Sequence, residues 1–233
     1  MIRINRFCGL LTLALCLMLS KTALANVCVA TTLDQYMAGG FSCTVGNIEF
    51  SDFGFRTNLL SPDATHNANL PDVIQVMPQS SAGQDGFAFT NLGDYFSGGY
   101  SNTNSQIWFT ATALGGLITG DSVVMTNYSA SGSSFHATAQ LYDGVGALPT
   151  AGVDCVNCSS PPSLTDSRIF PGITTTRIYA GVGAQNTGFA SGSATVDGIT
   201  ALLTTTVVPV PAALWLFGSG LLGLVSIARR NAG

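Results

Sequence analysis

Lysine occurs once in these 233 residues, at Lys21, and glutamate once, at Glu49. Charged side chains make up only 9% of the chain, with eight basic residues against twelve acidic ones. Arg3, Arg6, Lys21, Arg229 and Arg230 sit at the two ends, so only Arg56, Arg168 and Arg177 share the intervening stretch with the acids. A surface of that sign repels phosphate backbones and anionic headgroups, which excludes nucleic acid as a partner of this stretch. Histidine is nearly as scarce. His66 falls in a polar segment and His136 on the less apolar phase of an alternating run. Residues 26–206 hold no Gly-x-Ser-x-Gly elbow and no His-Glu-x-x-His pair, the patterns that position a nucleophile or a zinc ion. Gly181-Val182-Gly183-Ala184-Gln185-Asn186 lacks the last glycine of a dinucleotide turn, and no carboxylates follow the calcium-loop spacing. The reading is therefore a non-catalytic protein with no catalytic residues, no metal ligands and no resident cofactor. Calcium enters only as a bridge between this acidic surface and an acidic polysaccharide.

What is present is concentrated first at the termini. Arg3 and Arg6 precede the apolar run Leu10–Leu19, and Ala23-Leu24-Ala25 supplies small residues for cleavage. Residues 1–25 thus read as a secretory signal peptide, removed before Asn26. Lipidation at Cys16 is excluded because the bulky Leu15 precedes it. At the other end, Val208-Pro209-Val210-Pro211-Ala212 leads into an uncharged run from Ala212 to Ala228, closed by Arg229-Arg230. The run sits at the short limit of a transmembrane helix, Trp215 suits one interface, and the arginine pair forms a cytoplasmic stop. Pro209 and Pro211 keep the preceding chain extended.

Box, span and basic end, in that order over residues 207–233, resemble the PEP-CTERM sorting signal in its Val-Pro-Leu-Pro-Ala variant. Val210 replaces the usual leucine, and Trp215-Leu216, Gly218, Gly220 and Leu221-Leu222-Gly223-Leu224 fall where that signal has them. The resemblance implies export across the inner membrane of a Gram-negative bacterium and a transient C-terminal membrane anchor. It also implies processing by an exosortase and residence at the cell surface or outside it, with exopolysaccharide or biofilm.

Cys28, Cys43, Cys155 and Cys158 remain after export, into a compartment that permits disulfides. Three connectivities exist, and the local one, Cys28–Cys43 with Cys155–Cys158, is favoured. Closing the first loop contributes about 3 kcal/mol in the chain-entropy model. Ser159-Ser160-Pro161-Pro162 after the second pair reads as loop, against a redox helix, and no second ligand pair supports zinc.

Residues 26–206 read as one exported all-β domain, a jelly-roll-like β-sandwich with one short N-terminal helix. Asn47–Arg56 changes phase at Ser51-Asp52, which predicts a bulge or a break. Phe87 and Phe89 follow a Gln84-Asp85-Gly86 turn. Gln106–Leu114 and Ser122–Ala130 read as paired strands, and Ser133–Asp143, Arg177–Gly183 and Ser193–Val207 as further strands. Thr32–Ala38 reads as a two-turn helix capped by Thr32 and Gln35, and Thr57–Asp72 and Thr150–Asp166 as loops.

Function then divides. The main expectation is a surface or matrix protein acting through its sandwich; the alternative is a secreted carbohydrate-binding module. For the latter Tyr95, Phe96, Tyr100 and Trp108 are the candidate aromatics, with Trp108, between Ile107 and Phe109, read as core. A secreted hydrolase lacks a catalytic set. Replacing Pro209 and Pro211 by alanine is expected to leave an uncleaved, membrane-retained protein. Mass spectrometry of the C-terminus checks this, and normal processing of the double variant contradicts the sorting assignment.

Overall fold

A computed structural model describes residues 26–58, 65–97, 102–132, 135–143, 146, 150–156, 158, 163–186 and 192–207. The signal peptide, the Val208–Ala212 box, Trp215, Arg229 and Arg230 lie outside the described residues. No described helix is long and apolar enough to cross a membrane.

Period-two alternation organises the rest. β1 (Thr31–Thr32), β4 (Thr65–Asn67), β5 (Gln75–Ser81), β6 (Gln84–Ser97), β8 (Gly116–Ser131), β11 (Leu164–Ile173) and β13 (Ser193–Val207) form a seven-stranded sheet. Its order is β1-β5-β6-β13-β8-β11, with β4 also beside β6. β2 (Ser42–Val45), β3 (Ile48–Asn58), β7 (Asn102–Ala113), β9 (Phe135–Asp143), β10 (Ala151–Val156) and β12 (Thr175–Asn186) form a six-stranded sheet, ordered β10-β9-β12-β7-β3-β2. Every pairing within the two sheets is antiparallel. The two inner faces share a single hydrophobic core, so the chain is the two-sheet, all-β structure that its alternation implied.

Phenylalanine fills the middle of that core. Phe50 and Phe53 on β3 and Phe109 on β7 meet Phe87 on β6 across the sandwich, at ring-centroid distances of 4.7, 5.5 and 5.9 Å in edge-to-face arrangements. Such geometry sets positive ring edges against negative faces. Between Phe50 and Phe53 the strand gains one residue: Ser51 opposes Thr110 but Gly54 opposes Trp108, and Asp52 takes φ 57°. The expected phase change is this bulge.

The helix is shorter than expected. α1 (Leu33–Tyr36) is one turn, and Thr32 makes no capping bond to its backbone. Thr32 donates instead to the carboxylate of Asp34, which also accepts from Gln35, so the capping box is replaced by side-chain pairing. Leu33 and Tyr36 anchor the turn in the core, and the Tyr36 hydroxyl donates to the Val29 carbonyl at 2.7 Å.

Four other expectations are corrected. β7 and β8 are not paired; Leu114 and Gly115 (φ 101°) carry the chain from one sheet to the other, and β8 pairs with β13 and β11. Thr150–Asp166 is not simply loop, because it contains β10 and the start of β11. β10 alternates buried and exposed positions, but with residues as small as Ala151 and Gly152 the hydrophobic signal is faint. Thr57–Asp72 likewise includes the end of β3 and all of β4. Finally, the turn before Phe87 is Ala82-Gly83, both at positive φ, and Gln84-Asp85-Gly86 already belongs to β6.

Asp85 points inward, where its carboxylate accepts from the Asn47 N–H at 3.1 Å and the Ser80 hydroxyl at 2.6 Å. Across Leu203 in the same register lies Asp121, also buried. Burial pushes the Asp121 carboxyl up from its usual 3.8 to about 7; Arg168 pulls it down and Asp166 pushes it up. The folded state therefore holds a proton that the unfolded chain has lost, and stability falls as pH rises from about 4 to about 7. Asp121→Asn is expected to melt higher than the parent at pH 8 and close to it at pH 4. Thermal melts at the two pH values check this; an equal difference at both contradicts it.

Candidate functional site on the outer face of the six-stranded sheet

The outer face of the six-stranded sheet carries the residues that a bland surface does not explain. On β7, Ile107, Phe109 and Ala111 are buried, while Trp108 between them is half-buried on the opposite face. The expected core position of Trp108 is thus corrected. Flanking by two core residues on a strand places a side chain outside, since neighbours alternate.

Register sets a row of side chains across four strands. Gly54 of β3 pairs with Trp108, Trp108 with Tyr179 of β12, and Tyr179 with Tyr142 of β9. Trp108 and Tyr179 have ring centroids 6.2 Å apart, and Tyr179 and Tyr142 lie 5.4 Å apart with planes within 12°. Both tyrosines are half-buried. A Cβ at Gly54 would collide with the Cζ2 and Cε2 atoms of the indole. Gly54 thus lets Trp108 lie over the β3 backbone, and the indole is held by the sheet beneath it.

The next row is polar: Arg56, Gln106, Gly181, Gln140 and Gly152, on β3, β7, β12, β9 and β10. Arg56 Nε donates to the Gln106 side-chain oxygen, and the Gln106 amide donates to the Tyr142 hydroxyl. Burial raises the Tyr142 phenol above its ordinary value, while Arg56 and the bond from Gln106 pull it back. Gly181 and Gly183 contribute no side chains, which leaves a cleft of about 280 Å³ bordered by Gln106, Thr138, Gln140, Tyr142 and Asp143. Apolar rings beside amides and hydroxyls, at the mouth of a shallow cleft, match the make-up of a small-molecule binding face.

Charges on this face are mostly paired. Arg177 bonds the carboxylate of Asp52 at the bulge, and His136 Nδ1 lies 2.9 Å from Asp154. Among the described residues no three histidine, cysteine or acidic side chains come together to hold a metal.

The other expected residues fall elsewhere. Tyr95 is exposed on β6 in the seven-stranded sheet. Among the described residues, the outer face there presents small polar residues such as Ser122, Ser129, Thr195 and Thr200 rather than further rings. His66 lies in β4 opposite Phe96, but neither side chain is among the described residues, and Tyr100 lies outside them altogether. Cys28 and Cys43 are disulfide-bonded, with Cα atoms 4.9 Å apart. Cys155 at the end of β10 stands 6.0 Å from Cys158, Cα to Cα, within the span of a disulfide.

No family model and no curated protein matches the chain. Solved structures similar to it include TmCBM61 in complex with β-1,4-galactotriose, 12% identical, covering 63% of this chain and 86% of its own, with a TM-score of 0.33. The xylan-binding module CBM15 is 15% identical over 64% of this chain and 96% of its own, with a TM-score of 0.26. CsCBM6-3 from Clostridium stercorarium in complex with cellobiose is 11% identical over 66% and 95%, with a TM-score of 0.22. TM-scores this low decide neither the fold nor the ligand of this chain.

Gly54, Arg56, Gln106, Tyr142 and Tyr179 did not stand out in the sequence. The available signal was an aromatic in the polar phase of three separate strands, which only the pairing register assembles. Gly54→Val is expected to lift the indole off β3 while leaving the core intact, because the new side chain points outward. Near-ultraviolet circular dichroism checks this. A Trp108 signal identical to the parent's contradicts the arrangement.

Proposed function

We propose that this chain is an exported glycan-binding module whose binding surface is the outer face of the six-stranded sheet. The observation that carries the reading is the row Trp108–Tyr179–Tyr142 held over Gly54, with Gln106, Gln140 and Thr138 beside it. A pyranose ring has a C–H face that packs on an aromatic ring and hydroxyls at its edge that exchange hydrogen bonds with amides. Rings and amides in adjacent rows offer both at once. The platform lies across the strands in mid-sheet, which suits a stretch of polysaccharide passing over it. The paired ring systems on this face also favour binding over a passive surface role, for which half-exposed aromatics have no use.

Export and sorting belong to the same proposal. The signal peptide at 1–25 and the Val208-Pro209-Val210-Pro211-Ala212 box would deliver the sandwich, through an exosortase, to the cell surface or its surroundings. A glycan-binding face there would hold the protein in exopolysaccharide. The sandwich itself we take to be jelly-roll-like, with the consecutive strands β12 and β13 in the interior of opposite sheets.

The test is glycan binding by residues 26–207, which contain every named strand and the whole described core. Trp108→Ala is expected to weaken retention on the bound polysaccharide by about 2 kcal/mol, roughly thirty-fold, with the cooperative melt preserved. Affinity electrophoresis checks this. Undiminished retention of the folded variant contradicts the site.

A further inference from the structure

We propose that the glycan taken by this face is an acidic one, and that Arg56 receives a sugar carboxylate. This rests on the glycan-binding reading above and adds the charge of the ligand to it. Residues 26–206 have no lysine and only three arginines. Two are paired with acids: Arg168 with Asp166, and Arg177 with Asp52. Arg56 is exposed, and among the described residues no carboxylate pairs with it. Its Nε is fixed by Gln106, itself 6% exposed, so the guanidinium is oriented by a buried partner rather than free in solvent.

Its position matters as much as its charge. Arg56 lies two residues along β3 from Gly54, about 7 Å at the rise of a strand, so it borders the surface offered by the indole. A pyranose stacked on Trp108 would bring a ring substituent within reach of it. The guanidinium fork matches a carboxylate in shape and charge, and does so better than a point cation.

The distribution of acids agrees. Asp85, Asp94, Asp121, Asp166 and Asp197 lie on or face strands of the seven-stranded sheet, and Asp34 and Asp72 lie beside its β1–β5 edge. On the outer face of the six-stranded sheet, Asp52 is neutralised by Arg177. Asp154 is on β10, four strands away from Arg56 on β3, roughly 19 Å at ordinary strand spacing. Glu49 also lies on this face, three register rows along β3 from Arg56, roughly 20 Å, and Asp143 borders the cleft beside Tyr142. Among the described residues no carboxylate shares the register rows of Trp108 and Arg56.

The experiment uses residues 26–207 in affinity electrophoresis with polygalacturonate and alginate, each beside its carboxyl-reduced form. The expected result is about tenfold tighter binding to at least one acidic glycan than to its reduced form, weakened by salt and unchanged by chelator. Arg56→Gln should remove that preference, so that the variant binds the acidic glycan and its reduced form equally. Equal binding of the acidic and reduced forms overturns the proposal and leaves the glycan-binding reading standing. Binding abolished by chelator also overturns it, because a bridging cation then does the work assigned to Arg56. Binding that is unaffected by Trp108→Ala, or absent with every glycan, defeats the glycan-binding reading itself and this proposal with it.

Discussion

The ring of Phe87 is the contact on which the rest depends. It comes from the seven-stranded sheet and meets Phe50, Phe53 and Phe109 of the six-stranded one, with Tyr36 closing the side. That cluster obliges β3 to point both Phe50 and Phe53 inward, three residues apart, which a regular strand cannot do. The extra residue Asp52 resolves the conflict. A one-residue slip exchanges the two faces of a strand, so the bulge also decides what lies outside: Gly54 and Arg56 rather than Phe53 and Phe55. The floor beneath the indole and the cation beside it are thus consequences of packing in the core.

The same logic distributes charge. A strand buried on one side keeps its polar positions on the other, and each sheet of the sandwich spends its outer face differently. The seven-stranded sheet presents small hydroxyl residues. The six-stranded sheet presents three rings, two glutamines and two arginines, together with the carboxylates of Glu49, of Asp52 held by Arg177, and of Asp154 held by His136. The asymmetry gathers the rings on one face, with Arg56 in the row beside them.

Much of the fold was legible in the sequence. The alternation of Phe135, Ala137, Ala139 and Leu141 with His136, Thr138, Gln140 and Tyr142 is reproduced residue for residue, and the phase change at Ser51-Asp52 is a bulge. β10 escaped notice because small residues give little hydrophobic contrast, and β11 because an edge strand with Ile169 exposed to 87% breaks the pattern. The pairing of β7 with β8 failed for another reason: nearness in sequence favours a hairpin, whereas in a sandwich consecutive strands also pass between sheets. The site was the least legible part. Trp108, Tyr142 and Tyr179 are far apart in the chain, and only the order β9-β12-β7-β3 aligns them.

Trp108 is the sole tryptophan between residues 26 and 207, so its fluorescence reports on the proposed site alone. Titration of that domain with the oligosaccharides of a retained polysaccharide should change the emission, saturably and with the midpoint of binding measured independently. A ligand that binds and saturates while the emission of Trp108 stays constant would place the binding face elsewhere and contradict the account.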